Sequence, residues 1–153
     1  MNHHARLAAI AVFSFAAGFS LSHLPHASAA PATLQPAAID LMAITPADLP
    51  PPSATFPNLR SKTLVVTEGM TAAFQMGTAP KHYHANANEI QVVFAGSGTE
   101  WLGDHRVDLK PGMFIVIPAG TAHAGLVDTS GGNLRFVSFK TPPQAADDVH
   151  FMP

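Results

Sequence analysis

From Ser61 onward the chain alternates short runs rich in Val, Ile, Phe and Thr with punctuation by Gly, Pro, Asn and Asp. Successive side chains on a strand point to opposite faces, so short apolar runs bounded by turn residues read as strands. The pattern predicts strands at 62–67, 71–76, 81–84, 89–95, 98–102, 105–109, 113–117, 121–127 and 133–140. The strongest turn signals are Gly96-Ser97-Gly98, Gly103-Asp104, Pro111-Gly112, Pro118-Ala119-Gly120 and Ser130-Gly131-Gly132. No part of this stretch keeps a 3.6-residue apolar period. Many short strands at even spacing predict an all-β sandwich or jelly-roll barrel. Phe74, Phe94, Phe114, Phe136 and Phe139 are expected mainly in its core, with Trp101 also packing there.

The pattern is different upstream. A short polar start ending at Arg6 leads into the apolar run Leu7 to Leu21 and then the small-residue end Ala27-Ser28-Ala29. That order is an export signal at 1–29, and its apolar run is shorter than the ~20 residues of a membrane span. Cleavage after Ala29 leaves a periplasmic or secreted protein with no stable membrane span; the alternative is an uncleaved anchor. Residues 30–60 form a proline-rich arm, with seven prolines between 30 and 57. Each proline fixes φ and removes a donor, so no long helix or central strand fits there. One helical turn at Thr45-Pro46-Ala47-Asp48 is compatible, Thr45 capping and Pro46 leading. The arm is expected to be a spacer, or to pad the domain. The barrel is assigned to 61–142 and a C-terminal tail to 143–153.

Composition narrows the chemistry. Charged residues are 12% of the chain, against a typical ~25%, and the formal net charge is −2. Without a basic footprint, nucleic acid is not an expected partner. The absence of cysteine excludes disulfides, thiolate metal sites and a Cys nucleophile. Any metal must be held by His and carboxylate, and the chain has nine histidines. Four of them, His3, His4, His23 and His26, lie in the export signal.

Three of the rest sit in two spaced patterns. His82-x-His84 places two imidazoles on one face of a strand. Glu89 follows beyond an Asn-rich loop at the head of the next strand. The second pattern runs Gly112-x5-Pro118-x-Gly120-x2-His123, a strand, a turn and a returning strand. Neutral imidazoles with one carboxylate suit Fe, Mn, Ni, Cu or Zn, and residue identity alone does not choose among them. His105 and His150 fit neither pattern and read as surface residues. Met70, Met76 and Met113 read as packing rather than copper ligands.

Together, His82-x-His84-x4-Glu89-x6-Gly96 and Gly112-x5-Pro118-x-Gly120-x2-His123 resemble the two motifs of the cupin superfamily. The resemblance spans about 62–140 and implies a jelly-roll β-barrel with a divalent metal on His82, His84, Glu89 and His123. It departs from the family at two places. Gly77 lies one residue closer to His82 than the motif glycine would, and Val127 stands where the motif has Asn.

The resemblance leaves the reaction open. Tyr83 and Lys81 alternate away from the metal face, whereas Gln91 shares the face of Glu89 and could hydrogen-bond a metal-bound ligand. In the cupin-type lyases of dimethylsulfoniopropionate this position is Tyr, so Gln91 points away from that activity. No arginine stands beside the His pair, unlike oxalate-degrading cupins, and no second general base is evident. A metal-dependent oxidoreductase with dioxygenase-like chemistry on a small oxygen-rich molecule is the leading expectation, ahead of an isomerase or decarboxylase. The alternative is a non-catalytic module that binds metal or a small ligand. About 80 residues make a small barrel, so pairing of two copies as a homodimer along an edge strand is an option.

Overall fold

A computed structural model describes residues 34–153; the export signal expected at 1–29 lies outside the described residues. Ten strands follow in chain order. They are β1 (Leu59–Val66), β2 (Thr71–Gly77), β3 (His82–Tyr83), β4 (Asn88–Ala95), β5 (Gly98–Leu102), β6 (His105–Leu109), β7 (Phe114–Ile117), β8 (His123–Asp128), β9 (Arg135–Thr141) and β10 (His150–Phe151). They form two five-stranded sheets, ordered β1-β2-β9-β4-β7 and β10-β3-β8-β5-β6, with every pairing antiparallel. This is the predicted all-β architecture. No helix among the described residues is long and apolar enough to cross a membrane.

The alternation that predicted the strands also fills the space between the sheets. Val93, Ile115, Ile117 and Phe136 from the first sheet meet Leu109 and Ala124 from the second in one buried cluster. Gly96 ends β4 at φ +79, where a Cβ would stand 2.5 Å from the Asn133 carbonyl oxygen. Only glycine fits that close approach. A second cluster lies apart from the first: Phe74 and Met76 of β2 pack with Leu49, flanked by Leu41 and Ile44. The arm therefore covers β2 instead of hanging free. Its helical turn is a 3-10 turn at Pro46–Asp48, held by Thr45 donating its amide (2.8 Å) and hydroxyl (2.6 Å) to the Asp48 carboxylate.

Two expectations are corrected, and the tail adds a strand. Phe114 is not core: on β7, an edge strand, it is 63% exposed beside the exposed Val116, because alternation turns Ile115 and Ile117 inward. Trp101 is half-buried between two cations, with Lys81 Nζ 4.4 Å and the Arg106 guanidinium 5.0 Å from its ring. Residues 143–153 return to the barrel, and β10 pairs His150 with Tyr83 and Phe151 with His82.

Candidate metal centre

The site forms where the two sheets face each other. β3 and β8 pair His82 directly with His123, and His84 follows at the end of β3. The ligating nitrogens of His82, His84 and His123 all lie within 4.8 Å of one another, and all three residues are buried. Strand alternation brings His82 and His84 together. His123 arrives through the Pro118–Gly120 turn, whose Gly120 amide donates to the His84 carbonyl at 2.7 Å. After His123 the strand bulges: Ala124 and Gly125 both take φ +63 opposite the irregularity between Thr99 and Trp101. A positive φ at alanine is strained, and such strain gathers at functional sites.

Each imidazole is tied at one nitrogen. Nδ1 of His82 donates to Pro80 O (2.7 Å), that of His84 to Asp148 O (2.6 Å) and that of His123 to Thr121 O (2.9 Å). Carbonyl oxygens only accept, so Nδ1 carries the proton in every case and Nε2 of a neutral ring keeps a free lone pair. His123 Nε2 is buried with no hydrogen-bond partner. Burial, helped by the neighbouring His123, holds the His82 imidazole down to about 4, so this ring is neutral at physiological pH. Three buried, oriented imidazoles are positioned to hold a metal ion.

Glu89 enters from the opposite sheet, at the head of β4. Its Oε1 accepts from Ser138 Oγ (2.7 Å) and Gln91 Nε2 (3.1 Å). Its Oε2 lies 3.1 Å from His84 Nε2, 3.4 Å from His123 Nε2 and 3.6 Å from Lys140 Nζ. Burial alone would raise this carboxyl, but the approach of His123 and His84 and the Lys140 charge reverse that. Glu89 is held well below the usual carboxylate range. Gln91 thus reaches the site, and the contact it makes there is with Glu89.

Beside these groups a cavity of about 210 Å³ opens, walled by Phe56, Leu59, Leu126 and Phe136 and fringed by Gln75, Gln91, Lys140 and Gln144. The other two histidines among the described residues stay outside it. His105 pairs with Asp104 on the surface, while His150 stacks on Tyr83 at 4.8 Å. Met76 and Met113 pack in the two apolar clusters. Val127 is half exposed, so no side chain supports the site from that position.

Sequence reasoning missed three residues. Asp148, in the tail, accepts the amides of Ala85, Asn86 and Ala87 at 2.7–3.1 Å and so clamps the loop between His84 and Glu89. Lys140 supplies a cation from β9, whose register sets it opposite Glu89. Glu100 on β5 is only 1% exposed, and neither of its oxygens has a hydrogen-bond partner. Burial pushes its carboxyl up to about 7, with His123 and Glu89 close enough to act on it in opposite senses. A second acid/base group therefore does stand near the histidines. The signal for it was one acid in an otherwise uncharged strand.

Comparison with known proteins agrees with this geometry. Residues 70–140 match the family model described as a cupin domain. Among curated proteins none matches the sequence. Among solved structures, the chain is similar to the polyketide cyclase RemF from Streptomyces resistomycificus, with 19% identity over 72% of this chain and 84% of that one, at a TM-score of 0.58. It is also similar to a protein from Planctomyces limnophilus (22% identity, 76% and 97% covered, TM-score 0.57). KdgF from Halomonas sp. is a third relative by structure (21% identity, 59% and 85% covered, TM-score 0.53). At these identities the likeness is one of fold. With the His and Glu spacings of both motifs on that fold, residues 70–140 are a cupin domain.

Proposed function

We propose that this is an exported cupin holding one divalent transition metal through His82, His84, Glu89 and His123, and acting on a small oxygen-rich molecule in the adjoining cavity. One observation carries the ligand set. His84 Nδ1 already donates its proton to Asp148 O, yet its Nε2 faces Glu89 Oε2 at 3.1 Å. A bare lone pair against a carboxylate is repulsive, and a second ring proton or a shared cation removes the repulsion. Atoms bound to one ion at ~2.0–2.2 Å stand about 3 Å apart at a right angle, which is the spacing here. The unpartnered Nε2 of His123 has the same need.

A bound divalent ion would supply Lewis acidity or, for iron, manganese or copper, a route to redox chemistry. The chain's own groups do the rest. The Nδ1 hydrogen bonds fix the rings, Ser138 and Gln91 hold Glu89, and the apolar wall of the cavity excludes water. Dioxygenase-like chemistry is the first reading. A second reading, proton-transfer chemistry of the isomerase or decarboxylase kind, is favoured by Glu100, a buried acid able to hold or release a proton near neutral pH. Export rests on the sequence of residues 1–29. Pairing of two copies along β7, where Phe114 and Val116 stand exposed, belongs to the same proposal.

The test is metal analysis of protein purified from the exporting compartment, with the intact mass reporting whether residues 1–29 are gone. One divalent ion per chain is expected, with at least a hundredfold loss of affinity in His82→Ala/His84→Ala. A wild-type chain that takes up no stoichiometric Fe, Mn, Ni, Cu or Zn sinks the reading. Metal bound with only background O₂ consumption across a substrate panel removes the dioxygenase version.

A further inference from the structure

Among the described residues, Lys140 of β9 is the one Lys or Arg lining the cavity, where it joins the polar groups Gln75, Gln91 and Gln144. Its side chain is 16% exposed, and its ammonium lies 3.6 Å from Glu89 Oε2. A second, shallower pocket shares Lys140, Ser61, Gln75 and Gln144 with the cavity and continues along β1, β2 and β9 past Thr63 and Thr71. Apart from His82 and Glu89 of the metal centre, the polar lining is therefore amide and hydroxyl with one charge, that of Lys140. The apolar part of the lining is Phe56, Leu59, Leu126 and Phe136, with Phe136 directly opposite Gln75 in the register of β2 and β9.

Charge balance gives this arrangement a direction. With neutral imidazoles, a dication at the histidines is offset by the single charge of Glu89, and Lys140 adds a further positive charge. The occupied site then carries more positive than negative charge in a largely buried space, and an unpaired buried charge is costly. An anion entering the cavity relieves that excess. At about 210 Å³ the cavity is below the ~300 Å³ where sites for drug-sized ligands begin, so the anion is small.

We propose that the molecule bound here is a small hydroxylated carboxylate, its carboxylate set between Lys140 and the metal and its hydroxyls on the glutamine amides. Its carbon-bound hydrogens face the apolar wall. The inference rests on the metal reading above. It also supplies what the sequence lacked, a cation beside the His pair, delivered from a strand more than 50 residues away.

The experiment is calorimetric titration of the zinc-loaded full chain with glycerate and gluconate, and with glycerol and sorbitol as uncharged counterparts. Zinc content is measured in parallel. Wild type is expected to bind a hydroxy acid at least tenfold more tightly than its uncharged counterpart. Lys140→Met is expected to lose at least tenfold of that affinity while keeping one zinc per chain. Lys140→Arg should retain most of it, and Lys140→Gln serves if the methionine variant does not fold. Equal affinity for acid and polyol, equal affinity in wild type and charge-removed variant, or no binding of either acid overturns the proposal. A wild type without zinc overturns the metal reading and this inference with it, and the zinc measurement separates that failure from the others.

Discussion

His82 and Glu100 are buried in the same barrel, and burial moves their protonation in opposite directions. His82 falls from 6.5 to about 4, so between those values the folded chain binds fewer protons at this site than the unfolded chain. Its stabilising contribution is complete above pH 6.5 and is lost as pH falls toward 4. Glu100 rises from 4.5 to about 7, so its contribution is complete below pH 4.5 and is lost as pH rises through 7. Between 4.5 and 6.5 the two slopes oppose each other. Metal-free wild type should accordingly show a nearly level urea midpoint from pH 6.5 to 5, whereas Glu100→Gln should lose stability across that range. A wild type that falls as steeply as the variant would mean that Glu100 is already ionised in the fold. The ligands were legible in the sequence because two fixed spacings on strands put them on one face. Glu100 was half legible: alternation turns it inward, but the sequence does not say that no partner waits there.

At the scale of elements, the tail decides how well the site is held. A segment rich in Ala and Asp gave no strand signal, yet it ends in β10 and contributes both the carbonyl that orients His84 and the carboxylate that clamps residues 85–87. Groups that orient a metal ligand typically account for 10–100-fold in affinity. Asp148→Ala should therefore weaken zinc binding by about that factor, read by competition with a chelator, while the far-ultraviolet dichroism of the barrel persists. Unchanged affinity would show that the carboxylate clamp on residues 85–87 does not hold the site, since the variant keeps the backbone carbonyl that His84 uses. β10 escaped sequence reading because it is two residues long and exists only by pairing with β3. The eight longer strands were legible because each carries its own alternation and turn residues, and β3, equally short, lies inside the strand expected at 81–84.

At the scale of the molecule, the proline-rich arm and the barrel are one packed unit over the described residues. Leu49 is 6% exposed against Phe74, which is fully buried. Leu49→Ala should cost about 2–5 kcal/mol in denaturant unfolding, as buried leucines do. A loss near zero would mean that the arm does not pack in solution. The proline count excluded a long helix or central strand there, and that held. It could not show that Leu41, Ile44 and Leu49 find an apolar face on β2, because such a contact depends on two segments meeting and not on the composition of either.

The sequence by itself determined the strands, the all-β class and the grouping of His82, His84 and His123. Those follow from a period of two and from turns with fixed backbone demands, which act over a few residues. Only the tertiary structure decided which face of β2 lies under the arm, that Lys140 meets Glu89, that Glu100 is buried without a partner and that Asp148 comes back to the His84 loop. Each of these joins residues from separate strands or from the tail. Their meeting is set by sheet order and register, and no local pattern in the chain encodes them.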